Sequence, residues 1–221
     1  MALREARIEP LATGQRMDVE EFVRRWDALP DLKNAELIDG VVYVASPLGP
    51  DHGEQDFRLH VWLGYYADGT PGVCGLANTS CRLAGSMPQT DVCLRIHPDH
   101  GGGTATGRAW LEGTPDSSVA RDLGPKKALY QRAQVPEYLT YEIASGRLTW
   151  RSLGRDGSYR NIRPQPDGSL RSRVFPGLWI DPVALAEGRS LLTMVRKGMR
   201  SPEYREFRKL LRGRRQRKGE A

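Results

Sequence analysis

The order of apolar and polar positions predicts helices alternating with short strands. Asp18 precedes a run with one apolar helical face, and Glu21 completes a capping box, so a helix is predicted up to about Pro30. Two short apolar runs at residues 35–44 flank Asp39 and Gly40, a pattern typical of a β-hairpin. Helical spacing returns over residues 52–66.

The remaining chain continues this mixed pattern. A glycine-rich loop is predicted at residues 97–107, and a helix at residues 122–133. Another hairpin is predicted around residues 166–168, with short helices from Pro182 onward. The predicted strands are at residues 72–74, 79–83, 91–96, 137–143 and 148–152. The pattern predicts one α/β domain at residues 17–188, an N-terminal extension at 1–16 and a helical tail at 189–221.

Composition is that of an ordinary globular protein with one substantial core. The chain has 221 residues, of which 39% are hydrophobic and 27% charged. No run of eighteen apolar residues occurs, so no membrane span is predicted. The first residues lack the apolar core of a signal peptide, and we expect a cytoplasmic protein.

The net charge of +6 is concentrated in the tail. Residues 205–218 contain eight basic side chains and one acidic one, so the rest of the chain is close to neutral. Such a segment can bind nucleic-acid phosphates through counterion release, or it can be a solvated helix end. The candidate nucleic-acid-binding residues are Arg205, Arg208, Lys209, Arg212, Arg214 and Arg215.

Several other chemistries have little support. The spacing of Cys74, Cys81 and Cys93 does not fit a zinc knuckle, and small buried residues are the simpler interpretation. The glycines at 101–107 lack the ending of a phosphate-binding loop. Neither a serine-hydrolase elbow nor a zincin helix motif occurs.

The strongest chemical pattern pairs Asp91, at the start of an apolar strand, with Lys126 on a later helix. Hydrolysis of phosphodiesters with hard cations needs carboxylates that hold the metal, and a lysine can orient water or offset phosphate charge. Further candidate site residues are Glu36, His52, and Glu112 or Asp116.

The order of these residues resembles the restriction endonuclease domain family (the Uma family) of the PD-(D/E)XK nuclease superfamily. The resemblance extends over about residues 17–188. The matching segments are residues 34–43, 46–47, 51–53, 88–96, 122–130, 135–138 and 175–179.

The resemblance implies a restriction-endonuclease-like core, in which helices flank a mixed β-sheet. Asp91 matches a metal-binding aspartate and Lys126 the catalytic lysine, while Glu36 and His52 lie in segments that resemble the N-terminal part of the site. The implied activity is hydrolysis of DNA phosphodiester bonds with Mg²⁺ or Mn²⁺. By analogy we expect a homodimer, because cutting two strands needs two sites.

One departure from the family is serious. Residues 113–116 resemble the segment before the strand that carries the second metal-binding glutamate, but residues 117–120 follow directly, as if that strand were deleted. Either residues 108–113 occupy the strand position, which would place Glu112 at the missing ligand, or the sheet closes without the strand. In the second case Asp116 or no residue replaces the acid. Because residues 113–116 match the family better than Glu112 does, the sequence slightly favours an impaired site. The open readings are an active endonuclease, a non-catalytic DNA-binding protein and a degenerate copy.

Overall fold

The computed structural model describes residues 9–32, 34–45, 49–102, 108–114 and 119–219. For residues 51, 108–114 and 216–219 it describes the backbone alone. The chain forms two compact units. The small unit comprises Met1–Pro47 and Ser80–Gln89, and the large unit comprises Leu48–Thr79 and Thr90–Ala221.

The small unit confirms the predicted N-terminal elements. Helix α1 spans Val19–Asp27, and the Asp18 side chain accepts a hydrogen bond from the Glu21 backbone N–H at 2.8 Å. Strands β1 (Ala35–Ile38) and β2 (Val41–Val44) form the antiparallel hairpin. Asp39 and Gly40 both have positive φ, as a primed turn requires. The buried apolar side chains of this unit are Leu11, Val19, Phe22, Ala35, Leu37 and Val42.

The large unit is built on a six-stranded mixed sheet with the order β3-β4-β5-β6-β7-β8. β5 and β6 are parallel, while β4–β5, β6–β7 and β7–β8 are antiparallel. A separate two-stranded ribbon pairs β9 with β10. The strands are β3 (Val73–Ser80), β4 (Gln89–Ile96), β5 (Arg108–Thr114), β6 (Glu137–Glu142), β7 (Arg147–Leu153), β8 (Tyr159–Asn161), β9 (Leu170–Arg171) and β10 (Trp179–Ile180).

Helices and short turns complete this unit. Chain order places a 3₁₀ turn at Pro98–His100 after β4, and a wide π-type turn at Asp122–Lys126 between α3 and α4. The helices are α2 (Pro50–Asp68), α3 (Val119–Arg121), α4 (Lys127–Arg132), α5 (Pro182–Ala186), α6 (Leu192–Gly198) and α7 (Pro202–Gly219). No helix within the described ranges is long and apolar enough to cross a membrane.

One face of the sheet carries the main core. Val92, Leu94 and Ile96 of β4 alternate with more polar neighbours and pack with Leu139 of β6 and Trp150 of β7. Helix α2 covers this face, with side chains that include Trp62 and Tyr66. The residues that alternate with these core residues along each strand lie on the opposite face of the sheet, the second face.

One predicted strand arrangement is wrong, and another forms only as a local turn. Residues 72–74 and 79–83 are not separate strands, because Val73–Ser80 forms the single strand β3. The hairpin turn around residues 166–168 forms locally, since the Gly168 N–H donates to the Gln165 carbonyl and the Gln165 N–H donates to the Ser169 carbonyl, but β8 and β9 on either side of it do not pair with each other. β8 pairs with β7, and β9 pairs with β10. Local turn chemistry predicted the bends but not the partners.

The basic C-terminal segment is part of the large core. Tyr204 and Leu211 of α7 are buried, and the Leu211 carbonyl lies 3.0 Å from His100 Nδ1. Tyr204 also donates its hydroxyl hydrogen to the Gly69 carbonyl at 2.7 Å. The predicted boundary at residue 188 stays a prediction, but α7 is anchored along much of its length.

A buried carboxylate fixes one loop of the large unit. Glu137, at the start of β6, is fully buried and accepts hydrogen bonds from Ser172 Oγ at 2.7 Å and from the Arg173 N–H at 2.6 Å. The Val174 N–H contributes a longer bond at 3.3 Å. Burial raises the pKa of Glu137 to about 7, although these hydrogen bonds oppose the rise.

This pKa predicts a pH-dependent stability. Unfolded Glu137 loses its proton near pH 4.5 and the folded residue near pH 7, so the folded state binds more protons between these values. Stability should therefore fall as pH rises through this window, by roughly 3 kcal/mol at about 1.4 kcal/mol per pKa unit. Glu137→Gln should remove this contribution, and urea unfolding at pH 5 and pH 8 measures it.

The matched control is Glu54→Gln, which neutralises an exposed glutamate on α2. The control should keep the wild-type difference between the two pH values. If Glu137→Gln and the wild type show equal pH dependence, the burial of a raised-pKa carboxyl is contradicted.

Candidate active site

Asp91 lies near the N-terminal end of β4, on the second face of the sheet. Its neighbour Val92 is buried in the main core, whereas Asp91 is half-buried. Because successive side chains of a strand point to opposite faces, the Asp91 carboxylate projects away from that core. It can therefore meet polar groups on the second face.

The segment that carries Lys126 packs on the same second face. Tyr138 of β6 precedes Leu139, a main-core residue, and so projects from the second face. Its hydroxyl donates to the Asp122 carbonyl at 3.0 Å, and its ring lies 5.1 Å from that of Tyr130 on α4. The sheet thus positions both Asp91 and the Asp122–Lys126 turn on one side.

Lys126 is a buried cation at the start of α4. It is only 2% exposed, and its Nζ lies 4.0 Å from Asp122 Oδ1. The wide turn that contains it includes Gly124 at φ −105°, ψ −105° and Pro125, which has no N–H to donate. A buried ammonium is costly, and a helix N-terminus disfavours positive charge. The fold therefore keeps Lys126 beside an acid at a cost in stability.

Glu112 occupies a central strand. β5 lies between β4 and β6, and Glu112 pairs in register with Thr140. On the other side Val92 pairs with Leu111, so one more step along the ladder brings Asp91 opposite Glu112. These are backbone positions, and they make Glu112 the cross-strand neighbour of Asp91.

The apparent deletion of a strand is therefore wrong as a description of the fold. Of the two alternatives, Arg108–Thr114 occupies the strand position, and the sheet does not close without it. The mixed polarity of this segment concealed it, because a central strand beside a parallel neighbour is expected to be more uniformly apolar. Asp116 lies outside the described residues.

His52 lies on a face of α2 that carries histidine and aspartate side chains. It is buried, and its Nδ1 has no hydrogen-bond partner within the described part of the chain. Burial lowers the pKa of His52, while the nearby carboxylates of Asp56 and Asp122 oppose the shift. The structure thus brings His52 near Asp122.

His60, about two turns beyond His52 on α2, was not predicted as a site residue. Its Nδ1 lies 2.8 Å from the Asp56 carbonyl oxygen and 3.2 Å from Asp56 Oδ1. The hydrogen bond to Asp56 raises the pKa of His60 to about 9, and Asp91 adds a smaller electrostatic contribution. The spacing of His52, Asp56 and His60 at every fourth position of a predicted helix is the signal that could have identified this face.

Glu36 lies on β1 in the small unit. It is buried, and its carboxylate accepts a hydrogen bond from the Gln89 N–H at 2.8 Å. This bond ties β1 to the residue that begins β4. A role for Glu36 in chemistry stays a prediction.

The donor atoms at Asp91 suit a hard cation, although no cluster of three metal-ligating side chains occurs among those the structure describes. The side chain of Glu112 is not among them. Carboxylate oxygens are the ligands that Mg²⁺ and Mn²⁺ prefer. Asp91 together with an acid at position 112 therefore matches the chemistry of such an ion.

A family model, Uma2, described as "putative restriction endonuclease", matches residues 19–186. The chain belongs to this family. Membership supports a nuclease-like function, and restriction-endonuclease-like proteins generally use divalent metals.

A solved structure has a similar fold. It is described as a "putative nuclease belonging to DUF820" from Anabaena variabilis ATCC 29413, and it matches with a TM-score of 0.61 and 10% sequence identity. The similarity covers 77% of this chain and 98% of that chain. The predicted restriction-endonuclease-like α/β fold is thus confirmed. No curated protein sequence matches the chain.

The basic residues of α7 divide into two groups in this Uma2 member. Arg208 and Arg214 are half-buried, and Arg208 lies 5.8 Å from the ring of Tyr204. Exposed on the outer side of the helix are Arg205, Lys209, Arg212 and Arg215. Their predicted role in binding nucleic acid stays a prediction.

The His60–Asp56 pair yields a testable pKa. Asp56→Asn should lower the pKa of His60 from about 9 towards 6.5, because the neutral amide no longer favours the imidazolium. The raised pKa also means that the pair stabilises the fold most below pH 6.5, and that this stability is lost as pH rises through about 9. NMR titration of the His60 ring measures the pKa directly.

Asp68→Asn, which changes an exposed carboxylate on the same helix, is the control and should leave the His60 titration unchanged. Equal His60 titration curves in the wild type and Asp56→Asn would contradict the pairing.

Proposed function

We propose that this protein is a metal-dependent DNA endonuclease, in which Asp91 and Glu112 hold the ion and Lys126 is the catalytic lysine. The observation that supports this proposal most is the register of β4 and β5, which makes Asp91 and Glu112 cross-strand neighbours. Family membership supports the reaction class.

The donor set fits Mg²⁺ or Mn²⁺. Residues directly opposite across an antiparallel pair have Cβ atoms about 4.5–5.5 Å apart, on the same face of the sheet. Two carboxylates at that spacing can share one ion that takes oxygen ligands. When bound, the ion would lower the pKa of a water and neutralise charge on the phosphate.

Lys126 would offset the negative charge that develops on the scissile phosphate, or orient the attacking water. Its low exposure favours this role, since a charge in a site with little water interacts more strongly with the phosphate than an exposed charge would. Asp122, with Oδ1 at 4.0 Å from Nζ, would help to hold the Lys126 side chain in position.

A non-catalytic DNA-binding protein is the second candidate, and the exposed basic residues of α7 favour it. In that case α7 would bind DNA with an affinity that does not depend on the DNA sequence. A catalytically impaired or degenerate copy predicts no cleavage. Homodimer formation stays a prediction for any hypothesis in which the protein cuts both DNA strands.

Cleavage of plasmid DNA separates these readings. With Mg²⁺ or Mn²⁺ the wild type should nick supercoiled plasmid, and Asp91→Asn should lose this activity because it removes a metal-binding charge. Lys126→Met keeps the length of the side chain but not its charge, and should slow nicking on the order of 10²–10³-fold. Gel quantification of the nicked product gives both rates.

Asp68→Asn is the control for loss of a carboxylate and should nick at the wild-type rate. If Asp91→Asn nicks as fast as the wild type, Asp91 is not a metal ligand of the reaction. A folded wild type that never nicks DNA would favour the second candidate.

A further inference from the structure

The large unit contains a groove lined by arginines, apart from the residues predicted from the sequence. Its volume is about 930 Å³, and it lies at the edge strand β8 and the segment that leads to β10. Four of its lining residues are arginines, and Asn161 and Gln165 add neutral hydrogen-bonding groups. The arginines are Arg160, Arg163, Arg171 and Arg173.

These arginines differ in how firmly they are held. Arg160 pairs with Asp156 at 2.8 Å, and Arg171 pairs with Asp167 at 3.0 Å while its guanidinium lies 3.6 Å from the ring centroid of Trp179. Arg163 and Arg173 are exposed, and no carboxylate within the described ranges lies within 4.0 Å of either guanidinium. Two guanidinium groups therefore shape the groove, and two are available to an incoming anion.

The loop that carries Arg173 is fixed by hydrogen bonds to a buried side chain. The Arg173 N–H donates to the buried carboxylate of Glu137, as do Ser172 Oγ and the Val174 N–H. The Ser172 hydroxyl oxygen in turn accepts from the Phe175 N–H at 2.8 Å. A surface loop organised in this way loses little conformational entropy when it binds a partner.

The sheet register connects this groove to the candidate active site. Glu112 pairs with Thr140, and Thr140 pairs with Thr149. The β7–β8 ladder continues past Asn161, since the Ile162 N–H donates to the Trp150 carbonyl at 2.7 Å. One further step brings Arg163 level with Thr149. Asp91 and Arg163 thus lie at the two ends of a single row of residues that crosses the sheet. They are four strand spacings, or roughly 19 Å, apart.

We propose that this groove binds the phosphate backbone of a DNA duplex whose scissile phosphate lies at Asp91. The proposal rests on the proposed endonuclease function. A duplex rises about 3.4 Å per base pair, so roughly six base pairs separate the two positions. Arginine forks match phosphate oxygens, and neutral amides such as those of Asn161 and Gln165 commonly contact the sugar-phosphate backbone.

The test compares two pairs of substitutions that remove equal charge. The groove pair is Arg163→Gln with Arg173→Gln, and the control pair is Arg189→Gln with Arg200→Gln, two exposed arginines of the same unit. Fluorescence anisotropy with a labelled 20-base-pair duplex, in EDTA and at several salt concentrations, gives the affinity. The groove pair should flatten the dependence of log K on log salt by about 2, because each phosphate contact contributes about 0.9.

A third variant tests α7 separately by changing Arg205, Lys209, Arg212 and Arg215 to Gln. These point changes spare Tyr204 and Leu211, whereas truncation would remove core residues. If α7 is an additional contact, its effect should add to that of the groove pair. If only the α7 variant flattens the salt dependence, the groove proposal is overturned.

Cleavage kinetics give a second readout. The groove pair should raise KM for plasmid nicking and leave kcat close to the wild-type value, since its residues lie away from Asp91. Restoring positive charge with Arg163→Lys and Arg173→Lys should recover most of the salt dependence, although not the bidentate geometry. Circular dichroism of each variant verifies that it is folded.

The outcomes are distinct for the two proposals. Groove-dependent DNA binding without any metal-dependent nicking supports the groove as a DNA-binding surface, but it rejects the endonuclease and with it the placement of a scissile phosphate at Asp91. Equal salt dependence in the groove and control pairs overturns the groove, as does a wild type that binds no DNA. If the groove pair weakens binding of poly-glutamate but not of DNA, the partner is an acidic polypeptide and the proposal fails.

Discussion

The hydrogen-bond ladder of β5 is the constraint on which the rest of the large unit depends. β5 pairs antiparallel with β4 on one side and parallel with β6 on the other. Without it the sheet would separate into β3–β4 and β6–β8, each with an unpaired edge inside the protein. The ladder also fixes register, because a shift by one residue would exchange the two faces of the strand. The neighbour relation of Asp91 and Glu112 follows from this pairing.

Two buried ionisable side chains serve the proposed function at a cost in folding stability. Lys126 is buried at a helix N-terminus, and Glu137 is buried with a raised pKa. Burial of each ionisable group costs desolvation free energy. Lys126 is held beside Asp122 on the second face of the sheet, and Glu137 holds the backbone of the loop that carries Arg173. In our account each of these buried residues serves contact with the substrate, Lys126 directly and Glu137 through the loop that carries Arg173.

Local signals in the sequence predicted local structure well. The Asp18 N-cap and the Asp39-Gly40 turn act within a few residues, and both form as expected. The Glu21 carboxylate binds Arg24 and Arg25. Family resemblance identified the fold and assigned roles to Asp91 and Lys126, and the fold is confirmed. These predictions depended either on short-range geometry or on residue order.

Long-range pairing could not be predicted in the same way. Arg108–Thr114 contains charged, aromatic and glycine residues, so neither alternation nor a continuous apolar run identifies it as a central strand. The partners of β8 and β9 were likewise hidden, since turn residues do not specify distant neighbours. The groove arginines come from two segments whose proximity depends on that pairing.

The central claim is that Asp91 and Glu112 hold one metal ion. Titration with Mn²⁺, with free ion followed by electron paramagnetic resonance, tests it without requiring cleavage. The account predicts one Mn²⁺ site in the wild type and in Asp68→Asn, and its loss or strong weakening in both Asp91→Asn and Glu112→Gln. Wild-type Mn²⁺ affinity in Glu112→Gln would contradict it.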